Sequence, residues 1–162
     1  MDNGKDRTSN IYFALNNALR HRKTDPKSFR VWQGFLYFLM RALDKLPKYE
    51  GTVYRGGNKG LDQKTVRQEY KPGRPIQWAA FSSTSHDFNV VRPFVKKDEG
   101  GVVFKIKVVT GRDIGRYSFF PKESEILLSP NTQFVVTSDV YEDDKGYTCV
   151  DLAETAGVML LS

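Results

Sequence analysis

The sequence contains little that could crosslink the chain or anchor it in a membrane. It has one cysteine, Cys149, so no intrachain disulfide can form. It has two histidines, and no Cys/His set shows the spacing of a zinc site. No apolar run approaches the ~20 residues that cross a bilayer, and the polar start MDNGKDRTSN does not resemble a signal peptide. We therefore expect a chain that folds without disulfides or metal and does not enter a membrane.

Charge is not concentrated in blocks either. The net charge is +6, and the 25 Lys and Arg residues are spread along the chain. Such a surplus suits an anionic ligand. A stripe of interleaved aromatic and basic residues, which would indicate nucleic-acid binding, is missing from the sequence. A basic nucleic-acid-binding module is therefore an alternative that rests on charge alone.

Aromatic residues, by contrast, are plentiful: two Trp, eight Tyr and eleven Phe form 13% of the chain. Side chains of this size can bury a sizeable core, so the length predicts a single domain over 1–162. Two patterns divide that domain. Residues 8–47 are predicted to form a helical layer, and residues 50–162 are predicted to form the β-rich core.

The helical layer shows two amphipathic patterns. Residues 8–10 supply candidate caps for a first helix whose apolar stripe runs from Ile11 to Leu19. A second helix is expected to start at Asp25 and Pro26, because proline loses no hydrogen bond in a first turn, and to stop before Pro47. The apolar positions of the two stripes are Ile11, Ala14, Leu15, Ala18, Leu19, Phe29, Trp32, Phe35, Leu36, Leu39, Met40, Leu43 and Leu46.

From residue 52 onward, short β-rich runs alternate with Gly, Pro, Asn and Asp. A short helix with a loop is expected at 58–74, a helical turn at 87–95, and a hairpin turn at 142–146. The whole pattern predicts an α+β fold, with N-terminal helices packed on a largely antiparallel sheet. The expected strands are 52–56, 76–85, 102–109, 124–129, 133–141 and 147–154.

Two glutamates, Glu123 and Glu125, immediately precede the apolar run ILL. Residues i and i+2 of a strand share a face, so both carboxylates could line one cleft. A pair of this kind also occurs on solvated edge strands. The pair alone leaves both interpretations open.

Two further stretches carry polar groups at expected strand ends. Arg55 ends the run VYR and precedes two glycines, which let a ligand approach the backbone closely. Its guanidinium fork suits phosphate, although an ordinary salt bridge is the alternative. The run FSSTS at 81–85 gathers hydroxyls that could orient a carboxylate or a ribose, or could simply end a strand. Neither histidine lies in a motif that marks a general base, so we do not expect a serine nucleophile.

Taken in order, the Arg at a strand end, the aromatic-Ser-Ser-Thr-Ser run and the Glu-x-Glu before ILLSP resemble the mono-ADP-ribosyltransferases. The similarity is to the arginine–serine–glutamate branch, shared by cholera-like and clostridial toxins and by vertebrate ecto-transferases. It spans residues 50–155, and the 10–46 segment is similar to the family's N-terminal helices. The resemblance implies N-terminal helices on a split antiparallel β-sandwich. It also implies transfer of ADP-ribose from the co-substrate NAD to protein arginine, with release of nicotinamide and without a metal.

The same resemblance implies roles for individual residues. Arg55 would hold an NAD phosphate, and Gly56 would offer its backbone to the nicotinamide amide. Ser83 would orient Glu125, whose carboxylate would bond the ribose 2′-hydroxyl and stabilise the positive charge on the sugar. Phe94 would lie against the nicotinamide. The expected NAD-binding residues are Arg55, Gly56, Ser83, Thr84, Ser85, Phe94 and Glu125.

The acceptor side is also implied by the resemblance. Glu123 would engage the acceptor guanidinium, because Glu at this position accompanies arginine acceptors in the family. The segment 117–122 corresponds to the loop that recognises the acceptor protein, and Lys122 within it could tune acceptor choice. The expected acceptor-recognition residues are Tyr117, Phe119, Phe120 and Glu123.

Two alternatives remain at this point. An NAD glycohydrolase of the same fold would use the same motifs, because water can intercept the activated sugar. A basic nucleic-acid-binding module with degenerate motifs belongs to another class. The leading hypothesis is an NAD-dependent, arginine-directed transferase whose partners are NAD and a protein with an exposed arginine. We expect it to be a monomer, in the cytoplasm or delivered as an effector.

Overall fold

The computed structural model describes residues 11–57, 61–95, 101–115 and 124–155. Its helices are α1 (Ile11–Arg20), α2 (Pro26–Asp44), α3 (Gln63–Glu69) and α4 (Phe88–Val91), and a short 3-10 helix (Arg92–Phe94) follows α4. Its strands are β1 (Lys48–Gly56), β2 (Pro75–Trp78), β3 (Ser82–Ser85), β4 (Val102–Asp113), β5 (Glu125–Leu128), β6 (Thr132–Val136), β7 (Tyr141–Glu142) and β8 (Thr148–Glu154).

The second helix begins as its sequence predicts. The Asp25 carboxylate accepts a hydrogen bond from the main-chain N–H of Ser28, and Pro26 occupies the first turn. Phe29 and Leu36 are buried on one face of this helix. Phe35 was expected on the same face but is 46% exposed, because it lies at the edge of the stripe, where its ring contacts Trp32 edge-on.

The helices pack on the sheet through an apolar cluster of their own. Leu15 and Leu19 of α1 and the buried face of α2 meet Phe81, which precedes β3, and Leu127 of β5. Burying such side chains contributes about 1.5–3 kcal/mol each. The helical layer therefore covers the part of the sheet that contains β3 and β5.

Strand β4 is the centre of the sheet. It pairs antiparallel with β1 from Lys48↔Arg112 to Gly56↔Val103, and parallel with β8 on its other side. Strands β6 and β2 continue the sheet beyond β8, while β3 and β5 connect the end of β1 to the end of β4. The predicted α+β class is confirmed. The pairing is not purely antiparallel, because the chain returns to β4 in the same direction after three intervening strands.

Two sequence runs that were predicted as single strands are each divided. Residues 76–85 form the separate strands β2 and β3, which pair with β6 and β5 respectively. The run 133–141 is divided between β6, which ends at Val136, and β7, which begins at Tyr141. Strand β7 pairs with β8 across the predicted hairpin turn. Local β-propensity indicates only that the backbone is extended. Tertiary contacts decide which neighbouring strand each segment pairs with.

The largest core cluster lies along β1, β4, β6 and β8. Val53, Phe104, Ile106 and Val150 are all buried there, and Trp78 contacts Phe104 edge-on. Among the described residues, no helix has the length and apolarity needed to cross a bilayer.

Candidate active site

Three residues that are far apart in the sequence form one hydrogen-bonded relay. Arg55, near the end of β1, donates through Nη1 to the carbonyl oxygen of Ser83 at 2.7 Å. The Ser83 hydroxyl donates in turn to Oε1 of Glu125 at the start of β5. The structure therefore brings together the arginine, serine and second glutamate that the sequence motifs singled out.

The pairing of β3 with β5 explains why Ser83 is the hydroxyl that reaches the carboxylate. Ser85 lies opposite Glu125 in the ladder, so Ser83 is the diagonal neighbour on the same face. Thr84 faces the other way, and its hydroxyl donates to the Ile126 carbonyl at 2.7 Å. The Ser85 hydroxyl accepts from the main-chain N–H of Asp87 at 3.1 Å. Of the three hydroxyls, that of Ser83 orients Glu125.

A cleft of about 230 Å³ opens beside this relay. Phe94 stands at its edge on the 3-10 helix, with 75% of its surface exposed. Pro93 fits this short helix because it occupies one of the first positions, where a missing N–H costs nothing. The cleft is lined by Tyr54, Arg55, Gly56, Gly57, Ser83, Thr84, Ser85, Val90, Val91, Phe94 and Glu125.

The glycine after Arg55 is closely packed. A Cβ atom on Gly56 would lie 3.2 Å from Cγ2 of Val95, so the Val95 side chain would have to shift by a few tenths of an ångström to admit it. The absence of a side chain lets β1 run directly beneath the segment that carries Phe94. The two walls of the cleft therefore approach each other closely, with the Val95 side chain packed against the backbone of Gly56.

A second cleft, of about 260 Å³, shares Arg55 and Gly56 with the first. Arg20, from the last turn of α1, lies on its wall together with Tyr70 and Trp78. Among the described residues that line it there is no Asp or Glu. Burial lowers the pKa of Arg55, and the positive charge of Arg20 lowers it further, but the guanidinium still stays charged at neutral pH. The second cleft is therefore suited to a phosphorylated group.

Arg20 was not among the residues predicted for the site. A basic residue in the last turn of a helix normally interacts with the helix dipole, so its position gave no separate signal. Trp78, whose ring lies 6.0 Å from Cζ of Arg55, was likewise assigned only to a strand. Both residues join the site through tertiary packing.

The backbone at the start of β5 differs from the strand geometry assumed for the two glutamates. The strand begins at Glu125, and Ser124 has φ of 49°, in the left-handed region. Residues i and i+2 share a face only when the backbone between them is extended, so the i and i+2 rule does not apply across Ser124. The predicted acceptor residues Tyr117, Phe119, Phe120 and Glu123, and also Lys122, lie outside the described residues.

The acidic and sulfur-containing side chains do not form a metal centre in the part of the chain that the structure describes. Within 11–57, 61–95, 101–115 and 124–155, no group of three or more His, Cys, Asp or Glu side chains could hold an ion. Cys149 is buried, and burial raises the pKa of its thiol to about 12. The thiol thus stays protonated at neutral pH, which gives it no role as a nucleophile.

The fold and the site together define a class of protein. A carboxylate held by a serine lies in one cleft, and two arginines line an adjoining cleft suited to phosphate. A family model described as NAD:arginine ADP-ribosyltransferase matches residues 6–157. The chain belongs to this family, which confirms the resemblance seen in the motifs.

Individual relatives agree with the family assignment. The chain is 38% identical over 143 residues to a protein of Mycobacterium avium called "Putative NAD(+)--arginine ADP-ribosyltransferase Mav", a match that covers 88% of this chain. It is 32% identical over 158 residues to the corresponding Vis protein of Vibrio splendidus, which covers 91% of this chain. These matches span 16% and 61% of the two relatives' own lengths.

Solved structures show the same architecture. The Vis toxin superposes with a TM-score of 0.68 and 27% identity, covering 93% of this chain and 70% of that structure. The ADP-ribosyltransferase HopU1 of Pseudomonas syringae gives a TM-score of 0.72 and 25% identity, covering 90% of this chain and 65% of that structure. The fold of this chain is therefore the ADP-ribosyltransferase fold.

Proposed function

We propose that this chain transfers ADP-ribose from NAD to the arginine side chain of a protein acceptor and releases nicotinamide. The observation that carries the proposal is the relay from Arg55 through Ser83 to Glu125, at the junction of two clefts. The family membership supports the reaction type, and the intact Glu-x-Glu supports arginine as the acceptor.

The two clefts fit the two ends of NAD. Arg20 and Arg55 in the second cleft would hold the diphosphate, because guanidinium groups bond phosphate oxygens in pairs. The nicotinamide ribose would then lie in the first cleft beside Glu125, with the nicotinamide ring against Phe94. Gly56, which lines both clefts, would present its backbone to the nicotinamide amide.

The reaction breaks the bond between the ribose C1 atom and the nicotinamide nitrogen. Nicotinamide leaves with the bonding electrons as a neutral molecule, so it needs little acid assistance, while positive charge develops on the ribose. The Glu125 carboxylate stabilises that charge and bonds the ribose 2′-hydroxyl. Ser83 holds the carboxylate in place, so little reorganisation is needed as the charge forms.

The acceptor nitrogen then attacks the C1 atom and loses a proton. Glu123 is the group that we propose to bind the guanidinium and assist that loss, on the basis of its place in the Glu-x-Glu motif. The segment 117–122 would contact the acceptor protein. Since Vis is described as a toxin, we also propose that this chain acts as a delivered effector.

The test uses NAD labelled in the adenosine half and agmatine as a small guanidinium acceptor. We expect nicotinamide release together with a labelled ADP-ribosyl-agmatine product, measured by chromatography and mass spectrometry. Free ADP-ribose as the main product, even with excess agmatine, would instead show an NAD glycohydrolase. No nicotinamide release with any acceptor would contradict both activities.

Glu123→Gln is expected to separate transfer from hydrolysis. The change removes the charge that would meet the guanidinium but leaves Glu125 and Ser83 in place. Transfer to agmatine should fall by about 10²-fold or more, while hydrolysis of NAD stays within about threefold of the unchanged protein. Both products are measured in the same reaction. Equal loss of the two activities would show that Glu123 does not act on the acceptor alone.

Ser83→Ala is expected to have a milder effect on NAD hydrolysis. It removes one hydrogen bond to the Glu125 carboxylate, so we expect kcat to fall by about 10-fold. The KM for NAD should change little, because alanine keeps the main-chain carbonyl that accepts from Arg55. Steady-state kinetics check both values, with Ser28→Ala, on the exposed part of α2, as the matched control. A large rise in KM with unchanged kcat would assign Ser83 to substrate binding instead.

A further inference from the structure

Asn16 is a buried polar side chain that the proposed mechanism does not use. It lies on α1, is 3% exposed, and pairs both ends of its amide with one residue, Phe81. Its Nδ2 donates to the Phe81 carbonyl at 3.2 Å, and its Oδ1 accepts from the Phe81 N–H at 2.9 Å. The Tyr12 hydroxyl donates to the same carbonyl at 3.3 Å. A buried amide that is satisfied in this way fixes the position of both partners.

Phe81 lies where the sheet is interrupted. The ladder of β2 ends at Trp78↔Thr132, and the ladder of β3 starts at Ser82↔Leu128. Between those two ladders the chain crosses from one strand neighbour to another, and Phe81 is buried. Both of its main-chain polar groups need partners there. The Asn16 amide supplies both a donor and an acceptor, so it takes the place of a neighbouring strand at this residue.

The interruption leads directly into the candidate active site. Ser83 is two residues beyond Phe81. Its carbonyl accepts a hydrogen bond from Arg55, and its hydroxyl donates a hydrogen bond to Glu125. Arg20 follows Asn16 by one turn of α1, and residues at i and i+4 of a helix lie on the same side. The amide pair therefore links α1, which carries Arg20, directly to the segment that leads into the strand carrying Ser83.

We propose that Asn16 is a positioning residue: by holding the main chain of Phe81 it places Ser83 against Glu125 and Arg20 against the second cleft. This inference rests on the proposed function. A positioning role differs from general stabilisation, because its loss lowers kcat for NAD hydrolysis while the protein remains folded. Misplacement of a catalytic group by about 1 Å costs up to about 10²-fold in rate.

The main test replaces Asn16 with Asp, which has the same shape and keeps the acceptor for the Phe81 N–H. When ionised, the new carboxylate places an oxygen against the Phe81 carbonyl, so the pair repels. When protonated, the same group donates to that carbonyl and restores the pair. Burial raises the pKa of a carboxyl group, so the restored form is present below the raised pKa and is lost as the pH increases.

The expected kcat of Asn16→Asp is about 10- to 100-fold below that of the unchanged protein at pH 8. As the pH falls to 6, the kcat of the variant should approach that of the unchanged protein. The Tyr12 hydroxyl, which donates to the same Phe81 carbonyl, is present in both proteins. All assays are made well below the melting temperature of each protein at each pH. Asn17→Asp, at the exposed neighbouring position, is the matched control and should keep full activity.

Hydrogen exchange gives a measurement that does not depend on activity. Asn16→Ala should increase amide exchange not only at Phe81 but also at Ser83 and in β5 around Glu125. A folded Asn16→Asp protein with unchanged kcat at every pH would overturn the proposal, as would increased exchange confined to Phe81. If the unchanged protein itself neither hydrolyses NAD nor transfers ADP-ribose, the proposed function fails. The exchange measurement then decides the positioning role alone.

Discussion

Replacing Glu125 with Gln is expected to lower both NAD hydrolysis and transfer of ADP-ribose to agmatine by about 10²–10³-fold. The change keeps the size of the side chain and an oxygen that can accept from Ser83. It removes the negative charge beside the ribose, where positive charge develops as nicotinamide leaves. Because both products pass through that charged state, the two activities should fall together, and the KM for NAD should change much less than kcat.

The measurement is nicotinamide release and agmatine product under saturating NAD, with Glu142→Gln as the matched control. Glu142 is an exposed glutamate on β7 and does not line either cleft. The control should retain full activity. Full activity in Glu125→Gln would rule out the proposed enzyme mechanism. Loss of transfer with normal hydrolysis would instead show that Glu125 acts on the acceptor and not on the ribose.

Arg55→Ala is the second large effect that we expect, and it acts on NAD binding. A charge-assisted contact with phosphate contributes about 1.5–3 kcal/mol, which corresponds to about a 10- to 100-fold weaker affinity for NAD. The same change removes the donor to the Ser83 carbonyl, so kcat should fall as well. Arg55→Lys keeps the charge without the planar fork. Its affinity for NAD should therefore lie between those of the unchanged protein and of Arg55→Ala.

Isothermal titration with NAD measures this affinity directly. Arg67→Ala, an exposed position on α3, is the matched control for loss of one positive charge. Raising the salt concentration should weaken binding to the unchanged protein and should affect Arg55→Ala less, because one of the two guanidinium groups in the second cleft is gone. An unchanged affinity in Arg55→Ala would remove this residue from the phosphate site.

The helical layer was largely predictable because its signals are local. The cap at Asp25, the apolar stripe of α2 and the end of the helix before Pro47 each depend on neighbouring residues in the sequence. The strands were predictable as extended segments for the same reason. Their partners were not: the single predicted strand over 76–85 divides between two neighbours, because ladder pairing joins residues that are distant in the sequence.

The candidate site shows the same division between local and distant information. The order of Arg55, the Ser-Thr-Ser run and Glu-x-Glu was enough to select the residues that form the relay, since each motif marks its own strand end. Only the resemblance to the family pointed to Ser83, because the local pattern by itself does not distinguish it from the neighbouring hydroxyls. The diagonal pairing of β3 with β5 decides that choice.

By itself, the sequence determined the family, the α+β class and the identity of the arginine, serine and glutamate at the site, because motif order and side-chain period are properties of a linear chain. Only the tertiary structure decided the contributions of Arg20 and Asn16. Both are on α1, a helix whose sequence pattern predicts core packing and no chemistry. Arg20 lines the second cleft and Asn16 bonds Phe81, because α1 is packed over the interruption between β2 and β3. It also decided the left-handed backbone at Ser124, which a strand pattern does not predict.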